Sequence, residues 1–156
     1  MKHARVLAVV ALGIGALALA GCASNPAKAE KANTPKVWGY VAAAANAKLE
    51  VSDKQLGTDT LTVGRVLAPE DAWIVVHLDD NGKPGARVGL QHVSRGESTN
   101  VKVKLKGVTT SKVIVALHAD RATNGKFDFD MMKKEMSPDR PFFVGGKELS
   151  TVVSAR

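Results

Sequence analysis

Thr99-Asn100-Val101-Lys102-Val103-Lys104-Leu105-Lys106 carries the plainest structural signal in the chain. Val101, Val103 and Leu105 alternate with Lys102, Lys104 and Lys106. A period of two places the valines and the leucine on one face of an extended strand and the lysines on the other. The same grammar continues in both directions. Ala72–Leu78 reads Ala-Trp-Ile-Val-Val-His-Leu, apolar at nearly every position, as a strand covered on both faces would be. Val113–Ala119 is a second such run. Leu49–Val51, Thr60–Leu67 and Ala86–Val93 read as further strands, with turn clusters at Asp79–Gly85 and Arg95–Glu97. Pro141–Val144 and Leu149–Ser154 flank Gly145-Gly146 as an expected C-terminal hairpin. Strands recurring about every ten residues predict an all-β fold. The expectation is an Ig-like antiparallel β-sandwich of roughly seven to eight short strands, with a closed barrel as the main alternative. The Cys…Trp…Cys signature of antibody domains is absent, since Cys22 is the sole cysteine of the sequence.

The N-terminus obeys different rules. Lys2, His3 and Arg5 precede an uninterrupted apolar run, Val6–Ala20. That run fits the core of an export signal and falls short of the ~20 residues that span a bilayer. It closes on Leu19-Ala20-Gly21-Cys22. The order of charged, apolar and small-residue segments resembles a bacterial lipoprotein signal, in which Leu-Ala-Gly-Cys is the lipobox. The resemblance implies cleavage before Cys22 and a diacylglycerol on its sulfur. Each buried methylene adds about 0.8 kcal/mol, so two or more acyl chains anchor firmly where one is marginal. The implied partner is therefore a membrane. Ala23 in place of Asp implies the outer membrane, facing the periplasm or the cell surface, if the host is Gram-negative. An ordinary secretory signal and an uncleaved membrane segment are the competing readings.

These signals predict three parts: a signal peptide at 1–21, a lipidated N-terminus and tether at 22–47, and a β-sandwich domain at 48–155. Ala23–Lys36 is rich in Ala, Asn, Pro, Lys and Ser, with too little apolar surface to offset its ordering entropy. Val37-Trp38-Gly39-Tyr40-Val41 is an apolar island that either docks on the domain or simply ends the tether.

The runs IVVHLDDNGKPG (74–85), GESTNVKVKL (96–105), LHADRATNGKFDF (117–129) and PFFVGGKEL (141–149) carry a second resemblance. Together they look like an uncharacterised Ig-like β-sandwich domain of haloarchaeal cell-surface proteins and bacterial exported proteins. The most specific part is His-x-Asp, then Asn-Gly, then Phe-Asp-Phe. It implies an extracytoplasmic module with no catalytic residues to carry over.

The 156 residues carry a formal charge of +7, from 22 basic and 15 acidic side chains. Lys2 and Arg5 lie in the signal segment, which leaves 20 basic residues against 15 acidic ones, or +5. A moderately basic exported domain attracts anionic lipid or cell-wall polymer weakly. Lys102, Lys104 and Lys106 form a basic stripe suited to such a surface, or a lysine-protected edge strand. No aromatic residue interleaves with them, which argues against single-stranded nucleic acid as a partner.

Two metal readings arise. Asp120, Asn124 and Asp128 around Gly125 resemble part of an EF-hand loop and suggest Ca²⁺ as the one candidate cofactor. Ala122 stands where the third ligand belongs and Met131 where a closing glutamate belongs, so a metal-free Asx/Gly turn competes. His77, His92 and His118 are an alternative set for zinc or copper. If the two apolar strands run antiparallel, His77 and His118 are expected near opposite ends, away from a shared site. Asp79 and Asp120 each follow a histidine by two residues, but Ser94 and Ser98 lie in no nucleophile elbow. The sequence predicts a non-enzymatic envelope lipoprotein, with an envelope metal-binding protein as the alternative.

Overall fold

The computed structural model describes residues 38–51 and 59–154. Cys22 and the rest of residues 1–37 lie outside the described residues, as do residues 52–58. The described chain is all-β and sandwich-like, with no α-helix among the described residues. Its ten strands are β1 (Tyr40–Val41), β2 (Lys48–Glu50), β3 (Thr60–Ala68), β4 (Ala72–Asp80), β5 (Lys83–Val93), β6 (Gly96–Lys104), β7 (Lys112–Ala119), β8 (Phe142–Val144), β9 (Lys147–Glu148) and β10 (Ser150–Ser154). One turn of 3-10 helix covers Lys134–Met136.

Two sheets enclose the core. One has the order β10-β7-β4-β5 and the other β2-β3-β6, and a small third sheet runs β1-β8-β9. The alternation in β6 is realised as expected: Val103 and Leu105 are buried, while Lys102, Lys104 and Lys106 are exposed. Val103 and Leu105 cluster with Leu61, Val63 and Val66 of the neighbouring β3 and, across the gap, with Ile74, Val76, Val115 and Leu117. Aromatics are scarce, so branched aliphatics carry the core, each contributing about 1.5–3 kcal/mol on burial.

Three local readings sharpen. The turn expected over Asp79–Gly85 narrows to Asn81-Gly82, with φ of 53° and 82°, because Asp80 pairs with Lys83. Such a two-residue turn needs the left-handed backbone that Asn and Gly accept. The C-terminal hairpin closes at Gly145-Gly146, but only Phe143 and Val144 pair across it, with Glu148 and Lys147. The chain then crosses over at Leu149, and β10 pairs antiparallel with β7. Finally, the apolar island docks. Tyr40 and Val41 pair in parallel with Phe142 and Phe143, so of the two readings of the island, docking on the domain is the one realised. Only glycine fits at position 39, since a β-carbon there would lie 2.2 Å from the Pro141 carbonyl oxygen.

Candidate functional site

The site is built on the outer face of the four-stranded sheet. Trp73, Val75 and His77 share that face of β4, because Ile74 and Val76 point into the core. On β7, His118 stands opposite Trp73, Ala116 opposite Val75 and Ile114 opposite His77. The continuous apolar run of β4 follows from this arrangement: the second sheet covers one face and the 120–141 loop covers the other. Phe127 and Phe129 descend from that loop onto His118, with ring centroids 5.2 and 5.0 Å away.

A single carboxylate holds the loop in place. Asp139 is completely buried. Its Oδ1 accepts the backbone N–H of Arg121 and of Ala122, both at 2.9 Å. Its Oδ2 accepts the N–H of Asp128 at 2.7 Å, and its backbone carbonyl accepts the His118 Nδ1 proton at 2.9 Å. Amides converging on an anion give the opposite polarity to a calcium loop, where oxygens converge on a cation.

Above β4 and β7 the loop leaves a cavity of about 280 Å³, lined by Trp38, His77, Lys83, Pro84, His118, Phe129, Met131, Lys134 and Glu148. Trp38 stacks on Phe129 at 5.8 Å and meets Phe143 edge-on at 5.5 Å, so the docked island supplies one wall. His77 Nδ1 donates to the Gly85 carbonyl at 2.9 Å. A carbonyl only accepts, so both cavity histidines carry their proton on Nδ1 and leave an Nε2 lone pair. Burial pushes the His118 imidazole down to about 4, against its hydrogen bond to Asp139. Burial also lowers His77, with Arg87 adding to the effect. Both rings are therefore neutral at pH 7. Burial raises the Glu148 carboxyl, and Lys134 opposes that shift.

The residues singled out from sequence fall in separate places. His77 and His118 both line the one cavity, and the antiparallel pairing of β4 and β7 sets them apart along the strands as expected. They stand four positions apart on the ladder, but on the same face under the same loop. His92 is elsewhere, with Nε2 3.1 Å from Asp120 Oδ2. Among the described residues, no three His, Cys, Asp or Glu side chains are grouped to hold a metal. Asp120 Oδ1 accepts the Thr123 N–H at 3.2 Å, and Asn124 Oδ1 accepts the Lys126 N–H at 2.9 Å. Both thus serve the loop's own backbone, while Asp128 is exposed. Asp79 accepts the Gly82 N–H in its turn. Neither Ser94 nor Ser98 is hydrogen-bonded to a histidine among the described residues. Lys102 and Lys104 lie on β6, the edge of its sheet. Sequence reasoning missed Trp38, Glu148 and the lining role of Met131. The usable signal was three methionines inside Met131–Met136.

A family model described as Domain of unknown function (DUF7282) matches residues 47–155. The chain belongs to the DUF7282 family. No curated protein and no solved structure matches it. The DUF7282 match takes in the sheets, the Asp139 loop and both cavity histidines. It begins after β1, so Trp38 and Tyr40 lie outside it.

Proposed function

We propose that this DUF7282 protein is an exported lipoprotein, anchored through Cys22, whose Ig-like sandwich is a non-catalytic binding module at the cell envelope. The observation that carries the anchor is Leu19-Ala20-Gly21-Cys22 at the end of a 15-residue apolar run. With no second cysteine, Cys22 has no disulfide role to compete with lipidation. If the host is Gram-negative, Ala23 favours the outer membrane. The cavity supports a binding role. It offers lone pairs on two neutral imidazoles beside an aromatic wall, a surface suited to holding a ligand. Detergent-phase partitioning tests the anchor. The parent should enter the detergent phase and yield an N-terminal peptide bearing acyl mass on Cys22. The Cys22→Ala variant should stay aqueous. A variant that partitions like the parent would overturn the reading.

A further inference from the structure

Apart from Met1, every methionine of this chain lies in Met131-Met132-Lys133-Lys134-Glu135-Met136. Methionine usually fills cores, yet these three are 41%, 92% and 84% exposed. A thioether makes no strong hydrogen bond, so water returns little for the burial that is forgone. Clustered apolar side chains held in water mark a surface that another molecule or phase covers.

The backbone holds them there. The loop closes at its base, where the Asp130 N–H donates to Ser137 Oγ at 2.9 Å and the Ser137 hydroxyl donates to the Asp130 carbonyl at 3.3 Å. Asp130 Oδ1 accepts the Met132 N–H at 2.8 Å. The Lys133 N–H donates to the Asp130 carbonyl at 3.0 Å, and the Met136 N–H to the Lys133 carbonyl at 2.6 Å. Ser137 is buried, so the base is fixed to the domain while Met132 and Met136 project outward. Amides already bonded within the loop lower the cost of taking it out of water.

Charges and neighbours select what covers the loop. Lys133 and Lys134 stand among the methionines against a single Glu135, and neither lysine is in a salt bridge among the described residues. Trp38 lines the same groove as residues 131 to 136, and Lys134 Nζ lies 5.4 Å from its ring centroid. Unbranched apolar side chains beside lysines and an indole suit a lipid–water interface, where the stems enter and the charged ends meet headgroups. Trp38 follows Cys22 by sixteen positions. At 3.3–3.6 Å per residue, it lies within roughly 55 Å of that sulfur whatever path the chain takes. A bilayer that holds Cys22 is thus present at high effective concentration, so even a weak contact is populated.

We propose that this loop is a second, non-covalent membrane contact: Met132 and Met136, with Met131 and Trp38 beside them, enter the interface of an anionic bilayer while Lys133 and Lys134 meet its headgroups. This rests on reading Cys22 as the lipid anchor, which brings the bilayer to the loop. A lipid anchor alone leaves the domain free to turn. The loop sets the outer side of the β10-β7-β4-β5 sheet toward the membrane and leaves Lys102 and Lys104, on the other sheet, away from it.

The test uses the full-length lipidated protein in phosphatidylcholine vesicles with and without phosphatidylglycerol. Acylation blocks the Cys22 sulfur, so Met132→Cys supplies the one reactive thiol for an environment-sensitive dye. On anionic vesicles that dye should shift to the blue and be quenched by nitroxide-bearing acyl chains. The same dye at Lys104→Cys should stay unquenched. Met136→Gln and Lys133→Glu should each weaken the quenching at position 132, the charge reversal by about tenfold in the ratio of docked to free loop. Both positions are exposed, so the melting temperature should not move. No quenching at 132, or equal quenching at 132 and 104, would overturn the proposal. So would a blue shift without quenching by lipid, which would mean that protein covers the loop. A parent whose Cys22 takes the dye would refute the anchor instead. The loop is then read on the Cys22→Ala background, where vesicle quenching at 132 must still appear.

Discussion

Replacing Asp139 by alanine should cost this fold about 3–5 kcal/mol. The magnitude follows from what the carboxylate does. Three backbone N–H groups, from Arg121, Ala122 and Asp128, end on its two oxygens at 2.7–2.9 Å with no exposure to solvent. Hydrogen bonds to a charged acceptor contribute about 1.5–3 kcal/mol each. Burying the carboxylate offsets part of that sum, and a water entering the vacated space would recover part of the loss. What remains is still a large share of a small domain's stability of about 5–15 kcal/mol. With a urea slope of about 1–3 kcal/mol/M, the midpoint should fall by roughly 2 M. Asp139→Asn should cost about half as much. It keeps one oxygen acceptor, but in the other position it sets an amide donor against the N–H of Asp128. Urea unfolding followed by tryptophan fluorescence gives the energies. Hydrogen exchange localises them, because the amides of residues 121, 122 and 128 should lose protection before those of β3 and β6. An alanine variant within about 1 kcal/mol of the parent would refute the reasoning, as would a loss of stability that leaves those three amides protected.

Acidification should destabilise the protein through His118. Its folded value near 4 lies below the ordinary 6.5, so the unfolded chain binds the proton more readily between those values. The contribution is complete above pH 6.5, falls by about 2 kcal/mol at pH 5, and levels off below pH 4. The stability difference between parent and His118→Gln should change with pH by that amount, and a flat difference would contradict it. Millimolar calcium should leave the melting temperature unchanged, because Asp120 and Asn124 already serve amides of their own loop. A clear upward shift would restore the calcium reading. Gly39→Ala should undock β1, since its new carbon meets the Pro141 carbonyl at 2.2 Å. Trp38 fluorescence should shift to the red while the two main sheets stay folded, and an unshifted spectrum would count against that packing.

The sheets were legible because their signals are local. The alternation of β6 reports a half-buried strand, and the unbroken apolar runs of β4 and β7 report strands covered twice. The site was less legible because its parts meet across long separations. Asp139 looks like any acid in a polar loop, and its amide partners lie 11 to 18 residues earlier. Antiparallel strands were expected to set His77 and His118 near opposite ends, and the register does offset them by four ladder positions. What the spacing could not supply was a loop arching over both. The aspartate two residues after each histidine carried no site information, and Asp120 pairs with His92. Two residues along a strand, side chains return to the same face but not to the same point.

Tyr40 shows why the island and the site form one structure. Its ring lies between two guanidinium groups, Arg121 at 3.6 Å and Arg140 at 4.3 Å, and its hydroxyl donates to the Pro138 carbonyl at 2.8 Å. Without the ring, two like charges would face each other, and Arg140 Nε, already buried without a hydrogen-bond partner, would lose the π-face that compensates it. Both arginines flank the Asp139 cluster: Arg121 gives it an amide, and Arg140 follows Asp139 directly. The contact that docks the island therefore also steadies the loop that roofs the cavity, while Trp38, two residues away, forms the cavity wall. The DUF7282 match begins at Ala47, so Trp38 and Tyr40, which wall the cavity and steady its roof, lie outside the matched residues.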